Sequence, residues 1–148
     1  MSTQTLENKK WTYDDYIRID NQNRYEVIEG ELVMAPSPLT QHQRVSGKLE
    51  SLLGNFVEKK KLGEVFDAPF DVIISPHNVF PPDILFLSNE NLGILTGKNV
   101  QGAPDLIVEI LSPGTAVYDM GVNKEVYERA GVKELWVFDP ESETGLAY

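Results

Sequence analysis

Two acidic residues beside or inside apolar strand patterns are the side chains of this sequence best suited to chemistry. Glu109 interrupts the apolar run 106–111, and Asp83 immediately precedes the apolar run 84–87. A carboxylate among apolar neighbours loses its hydration unless a cation, a hydrogen-bond donor or a metal replaces the water. Two such acids on two strands are therefore the strongest functional signal in the chain.

The chemistry that these acids favour is metal-assisted hydrolysis. If Asp83 and Glu109 project from neighbouring strands toward one point, two hard oxygen ligands together with water suit Mg²⁺ or Mn²⁺. Such an ion polarises a phosphoryl oxygen and activates a water molecule, and a nearby lysine steadies the developing charge. The pattern is typical of phosphodiester hydrolysis.

Each candidate residue also has a structural interpretation. The alternative for Glu109 is a buried acid that binds a donor from Ser112, Thr115 or a lysine, and the alternative for Asp83 is a turn acid that follows two prolines. Asp105 lies on the strand face of Glu109, where it is either an accessory acid or a cap at the start of the strand. Tyr127 is most simply a core residue.

Composition narrows the class of protein. The chain has 148 residues, which suits one domain, and its formal net charge is −10, which argues against a broad nucleic-acid surface. It has no cysteine and two histidines, which excludes thiolate sites and all-histidine metal sites. Without an apolar stretch long enough for a membrane span, we expect a cytoplasmic protein. Residues 1–10 are predicted to be a disordered tail and 11–148 a single domain.

Apolar periodicity predicts an α/β fold. The first half of the chain indicates a short helix capped by Thr12, a hairpin that turns at Glu29-Gly30, and a helix over 41–60 with a Thr40 and Gln43 capping box and an end at Gly63. Strands follow over 64–66 and 70–74, then a turn-rich segment over 75–78 and a strand opened by Asp83. The remainder indicates a loop with a helical turn over 88–102, a strand over 105–111, a helix over 117–130 and a strand over 134–139. The last strand, helix and strand require a crossover, so we predict a mixed central sheet flanked by helices, with an N-terminal hairpin.

These motifs resemble a known family. Pro82-Asp83, Glu109 in a buried strand and a following helix that bears a lysine resemble the PD-(D/E)xK nuclease superfamily, and more closely a bacterial restriction endonuclease family once known only as a domain of unknown function. The segments that carry the closer resemblance are 25–31, 42–43, 82–83, 103–113, 131–132 and 136–140. The resemblance spans residues 11–148 and implies a restriction-endonuclease-like fold, a divalent metal, and Asp83 and Glu109 as metal-binding catalytic acids.

The resemblance also implies a lysine on the helix that follows the strand of Glu109, and the question is which residue of this chain supplies it. Members similar to this chain place it four residues before the tyrosine that matches Tyr127, but that position is Asn123 and Lys124 is its neighbour. Lys124 reaches the same point through its long flexible stem or a small shift in register, and by the resemblance we expect it to stabilise the developing charge. The alternative is that Lys124 is a solvated lysine on the helix surface. His42, in the first turn of the long helix, is expected either to bond backbone or to reach the site, and Glu31 is a candidate to complete the metal shell.

The leading hypothesis is a Mg²⁺-dependent endonuclease that cuts DNA. We expect it to act as a homodimer, because a two-fold symmetric dimer places equivalent active sites on the two antiparallel strands. In this hypothesis Asp83 and Glu109 bind the metal, and Glu31 and the Ile110 carbonyl are candidates for further ligands. Lys124 stabilises the charge that develops on the phosphate, and His42 supports the metal shell. The alternative is a non-catalytic domain that keeps the fold as a binding or interaction module, and the net charge of −10 and the displaced lysine favour it. A metal hydrolase of small phosphoesters is the third possibility.

Overall fold

The computed structural model describes residues 9–113 and 116–148. In chain order the elements are α1 (Tyr13–Tyr16), β1 (Arg24–Ile28), β2 (Glu31–Ala35), α2 (Thr40–Lys60), β3 (Gly63–Asp67), β4 (Val72–Ser75), β5 (Asn78–Phe80), β6 (Ile84–Ser88), a 3₁₀ helix (Asn89–Ile94), β7 (Val100–Gln101), β8 (Leu106–Ile110), α3 (Ala116–Ala130), β9 (Glu134–Asp139) and β10 (Thr144–Ala147). Within these described ranges, no helix combines the length and the apolar character that a membrane crossing needs. Most of the predicted disordered tail, residues 1–8, lies outside the described residues.

The described strands form two mixed sheets of five strands each. The first has the order β2-β1-β5-β4-β7, and the second has the order β10-β9-β8-β6-β3. The predicted mixed α/β fold with an N-terminal hairpin is confirmed, but two sheets replace the single central one. The difference arises at β5, a three-residue strand in the segment predicted as turn, which pairs with both β1 and β4 and so completes the first sheet.

Strand β8 is the middle strand of the second sheet. It pairs antiparallel with β6 and parallel with β9, and α3 makes the crossover between the two parallel strands. The register sets Ile84 opposite Val108. Asp83 therefore enters β6 beside the end of β8 that carries Glu109, as the sequence predicts.

The two faces of β8 pack against different helices. Ile107 belongs to a buried cluster with Val126 and Tyr127 of α3, whereas Val108 lies in a cluster that includes Leu49 of α2. Because side chains alternate along a strand, Glu109 shares the face of Ile107. The strand thus directs this carboxylate toward α3 rather than toward α2.

The predicted caps of α2 are wrong. The N-cap is Leu39, which makes no side-chain hydrogen bond, while Gln43 uses its side chain to contact its neighbour His42. The helix ends at Lys61, whose φ of 53° is left-handed, and not at Gly63. Gly63 instead opens β3 at a close approach, since a Cβ there would lie 1.9 Å from the carbonyl oxygen of Leu87.

The hairpin β1–β2 closes through the two residues that the sequence indicates. Glu29 has a φ of 50° and Gly30 a φ of 81°, the positive values that a two-residue hairpin turn of the primed type requires. The hairpin holds β1 in antiparallel register with both β2 and β5. Strand β1 consequently presents alternate side chains, Arg24 and Glu26, on one face.

Candidate active site

Asp83 and Glu109 line the same cleft, close to where β6 begins and β8 ends. The cleft also takes side chains from β1, β2, the first turn of α2 and α3. The two acids that the sequence singled out are therefore brought together by adjacent strands of one sheet.

Asp83 is held by two donors. Its Oδ2 accepts a hydrogen bond from the main-chain nitrogen of Ile110 at 2.7 Å, and its Oδ1 lies 3.2 Å from Nε2 of His42. The side chain is nearly enclosed, with Asp83 only 8% exposed. These contacts fix the carboxylate in one orientation beside Glu109.

His42 reaches the site from the first turn of α2. Its Nδ1 lies 3.0 Å from the side-chain oxygen of Gln43. The hydrogen bond to Asp83 raises the pKa of His42, although burial opposes the rise. Since both ring nitrogens face oxygen acceptors, the protonated imidazole is favoured and offsets part of the negative charge of the cleft.

Glu109 is half-buried and binds a donor that the sequence analysis did not consider. The hydroxyl of Tyr127 donates to its Oε1 at 2.8 Å. Burial raises the pKa of Glu109 well above its ordinary value, and the negative charges of Asp83 and Glu26 add to the rise. A cation bound between these carboxylates would relieve that repulsion. Thr115, one donor considered for Glu109, lies outside the described residues.

Three polar residues of the cleft were given no role by the sequence analysis, which named position 123 only as the place where similar family members carry a lysine. They are Arg24, Glu26 and Asn123. A spacing of two along β1 puts Arg24 and Glu26 on one face, and a spacing of four along α3 puts Asn123 on the face of Tyr127. These spacings are visible in the sequence, but only the fold shows that both faces meet Glu109.

Asn123 carries an unsatisfied polar atom. The residue is 4% exposed, and its side-chain oxygen Oδ1 has no hydrogen-bond partner among the described residues. Buried polar atoms are usually paired, so an exception calls for a water, an ion or another ligand. Asn123 is one of the residues that line the cleft shared by Asp83 and Glu109.

The structure does not bring Lys124 or Glu31 to this cleft. Lys124 Nζ lies 3.8 Å from the ring centroid of Tyr148, away from the acids. One step along a helix turns a side chain by about 100°, which separates Lys124 from Asn123. Glu31 is exposed at the start of β2, opposite Ile28.

The donor chemistry of the cleft fits a hard divalent cation. The carboxylates of Asp83 and Glu109 and the free amide oxygen of Asn123 are the oxygen donors that Mg²⁺ prefers. Among the described side chains, those of residues 9–113 and 120–148, no three His, Cys, Asp or Glu are arranged to hold an ion by themselves. The fit therefore depends on amide or carbonyl oxygens and on water, which Mg²⁺ commonly retains.

Asp105 has a structural role. It accepts hydrogen bonds from the main-chain nitrogen of Ser88 at 2.7 Å and from Asn91 at 3.3 Å, and it pairs with Lys133 at 3.0 Å. These contacts tie the start of β8 to the end of β6, to the 3₁₀ helix that follows β6, and to the residue just before β9. Asp105 is thus the strand cap of the two roles considered, and it does not line the cleft of Asp83.

Comparisons with known proteins agree with the geometry. The model of the Uma2 family, described as "Putative restriction endonuclease", matches residues 12–148. The fold is similar to the crystal structure of a putative nuclease belonging to DUF820 from Anabaena variabilis ATCC 29413, with a TM-score of 0.79 and 22% identity over 93% of this chain and 78% of that chain. No curated protein matches the sequence. Because the family match covers almost the whole chain, this protein belongs to the Uma2 family of restriction-endonuclease-like proteins.

Proposed function

We propose that this chain is a Mg²⁺- or Mn²⁺-dependent endonuclease that hydrolyses phosphodiester bonds of DNA. The observation that carries the proposal is that Asp83, Glu109 and Asn123 line one cleft, and that the buried side-chain oxygen of Asn123 has no hydrogen-bond partner among the described residues. Membership of the family and the fold shared with the Anabaena protein support the same reaction class.

In this reaction the oxygen of a water molecule forms a bond to phosphorus, and the ester bond to the leaving sugar oxygen breaks. The electron pair stays with that oxygen, which gains a proton, while the attacking water loses one. A bound divalent ion supplies Lewis-acid charge and lowers the pKa of water. Asp83, Glu109 and the Asn123 oxygen would hold it, and His42 and Tyr127 keep the two carboxylates oriented.

Nicking of supercoiled plasmid tests the proposal. We expect cleavage with Mg²⁺ or Mn²⁺, and a fall of about 100-fold or more in Asp83→Asn and in Glu109→Gln, the scale seen when electrostatic stabilisation at a reaction centre is lost. Asp14→Asn and Glu128→Gln are matched controls, because both residues are exposed and neither lines the cleft. A purified wild-type chain that cuts no DNA with either metal would overturn the proposal.

Metal binding is tested separately by thermal unfolding. A ligand that binds only the folded chain raises the melting temperature, so Mn²⁺ should stabilise wild type, Asp14→Asn and Glu128→Gln. The effect should disappear in Asp83→Asn and Glu109→Gln. Equal stabilisation of all five proteins would place the ion elsewhere.

Two observations favour a second function, a non-cleaving binding module. No lysine among the described residues lines the cleft, and the net charge is −10. Stabilisation by Mn²⁺ together with DNA binding and no nicking would support this module. Turnover of a small phosphodiester without DNA cleavage would instead indicate a small-molecule hydrolase.

We further propose that the enzyme acts on DNA in the cytoplasm as a homodimer. A double-strand break needs two cuts on antiparallel strands, and two-fold symmetry supplies two equivalent sites. Analytical ultracentrifugation with a duplex substrate tests the assembly. A monomer that cuts both strands in one binding event would contradict it.

A further inference from the structure

Arg24 is the one cationic residue of the cleft among the described residues that line it, apart from the titratable His42. Around it lie three acids, Glu26, Asp83 and Glu109. Phosphodiester hydrolysis puts negative charge on the phosphoryl oxygens in the transition state, and a fixed cation stabilises that charge. The chemistry needs such a group, and Lys124, turned toward Tyr148, does not supply it.

The backbone places Arg24 firmly. It is the first residue of β1, it pairs with Ala35 across the hairpin, and it is half-buried, so part of its side chain is enclosed by the protein. It also lines an adjoining cleft, together with Asp83 and with Ser46 and Gly47 of α2. Arg24 therefore lies at the junction of two clefts that share Asp83.

We propose that Arg24 contacts the scissile phosphate and takes the charge-stabilising role that the displaced lysine leaves open. The inference rests on the proposed nuclease function. A guanidinium donates in a planar fork that matches two phosphoryl oxygens, and it stays protonated throughout, so it neither gives nor takes a proton in the reaction. The attacking water and the leaving oxygen therefore exchange their protons with other groups or with solvent.

The test compares Arg24→Gln and Arg24→Lys with Arg44→Gln. Arg44 lies on α2, is exposed and does not line the cleft, so its substitution makes the same change in net charge. In plasmid cleavage at saturating Mg²⁺, we expect Arg24→Gln to lose about 100-fold or more and Arg44→Gln to stay within about threefold of wild type. Arg24→Lys, which keeps the charge but not the fork, should fall between them. Cleavage by Arg24→Gln at the rate of Arg44→Gln overturns the inference.

A second measurement separates failure of this inference from failure of the proposed function. Binding of a fluorescein-labelled DNA duplex is followed by anisotropy in Ca²⁺, with thermal melts to show that each variant is folded. If wild type does not cleave at all, the nuclease proposal fails, and weaker binding by Arg24→Gln than by Arg44→Gln still supports a phosphate contact. Equal binding by the two variants refutes that contact. Should Arg24→Gln not fold, the same comparison is made with Arg24→Lys.

Discussion

The carboxylate of Asp83 accepts a hydrogen bond from the main-chain nitrogen of Ile110 at 2.7 Å. Ile110 follows Glu109 directly, so this one bond ties the position of the first acid to the backbone that carries the second. It spans two neighbouring strands of the sheet, and it is buried. The geometry of the pair is therefore part of the sheet and does not depend on flexible loops.

Asp83→Ala should destabilise the protein more than Asp83→Asn. An asparagine oxygen can still accept from the Ile110 nitrogen, whereas alanine leaves that buried donor unpaired at a cost of about 1–3 kcal/mol. Urea unfolding of the two variants without metal measures the difference. Equal free energies of unfolding would mean that the bond to Ile110 contributes nothing to the fold.

Tyr127→Phe should weaken metal binding while leaving the core in place. The ring still packs edge-on against Phe80, with centroids 4.9 Å apart, but the donor to Glu109 is lost. Removing a group that orients a ligand typically costs about 10-fold or more in metal affinity. The hydroxyl also helps to hold down the pKa of Glu109 against the rise that burial causes, so Mn²⁺ binding by the variant should require a higher pH.

Mn²⁺ titrations at several pH values, read by thermal shift, measure this effect. Tyr16→Phe is the matched control, since Tyr16 also donates to a carboxylate, that of Asp71 at 2.9 Å, away from Glu109. The role given to Tyr127 is refuted if the two variants bind Mn²⁺ alike.

Asp105→Asn should remove part of the stability at neutral pH and none of it in strong acid. Burial alone would raise the pKa of Asp105, but the bonds from Ser88, Lys133 and Asn91 outweigh it and lower the pKa below the ordinary 3.8. A lowered folded-state pKa adds stability above the unfolded-state value, and this stability is lost as the pH falls through the folded-state value. We expect a difference of about 2 kcal/mol at neutral pH, by the usual worth of hydrogen bonds to a charged group.

Denaturant unfolding of wild type and Asp105→Asn from neutral pH down to below 3.8 follows this loss. The difference between the two proteins should shrink toward the acid end. A difference that stays constant across the range would show that the charge of Asp105 is not what stabilises β8.

The sequence predicted correctly those parts of the fold that depend on residues close together along the chain. The hairpin at Glu29-Gly30, the Thr12 cap and the crossover through α3 follow from turn chemistry, capping and chain direction, and all three are present. Strand β5 escaped prediction because three residues are too few to show a period, and its pairing with β1 is a long-range contact.

The residues of the candidate site likewise fall into those that the sequence reveals and those that only the fold brings together. Asp83 and Glu109 stand out in sequence because each contradicts its apolar surroundings. Arg24 does not, since an arginine at the start of a strand is ordinary there, and position 123 stands out only through the resemblance, as the place where similar family members carry a lysine. Arg24 and Asn123 join the site only because the hairpin and α3 both pack beside β8, which no local pattern encodes.

Lys124→Ala should lower stability slightly and leave cleavage near the wild-type rate. Its ammonium lies over the ring of Tyr148, a cation–π contact worth about 0.5–1 kcal/mol at an exposed site. Thermal melts and plasmid nicking measure the two effects. A fall in cleavage comparable to that of Glu109→Gln would restore Lys124 to the catalytic role that the sequence suggested.

Asn123→Lys should make cleavage less dependent on Arg24. A lysine at this position of α3 would present its ammonium to the acids of the cleft, beside Glu109 and Asp83, where the carboxylates compensate its buried charge. In a double-mutant cycle at saturating Mg²⁺, the loss caused by Arg24→Gln should be smaller by about 10-fold when Asn123→Lys is present, because residues that share one task are not additive. Thermal melts confirm that each protein of the cycle is folded. If Arg24→Gln costs the same factor in both backgrounds, the two positions act independently and do not serve the same phosphate charge.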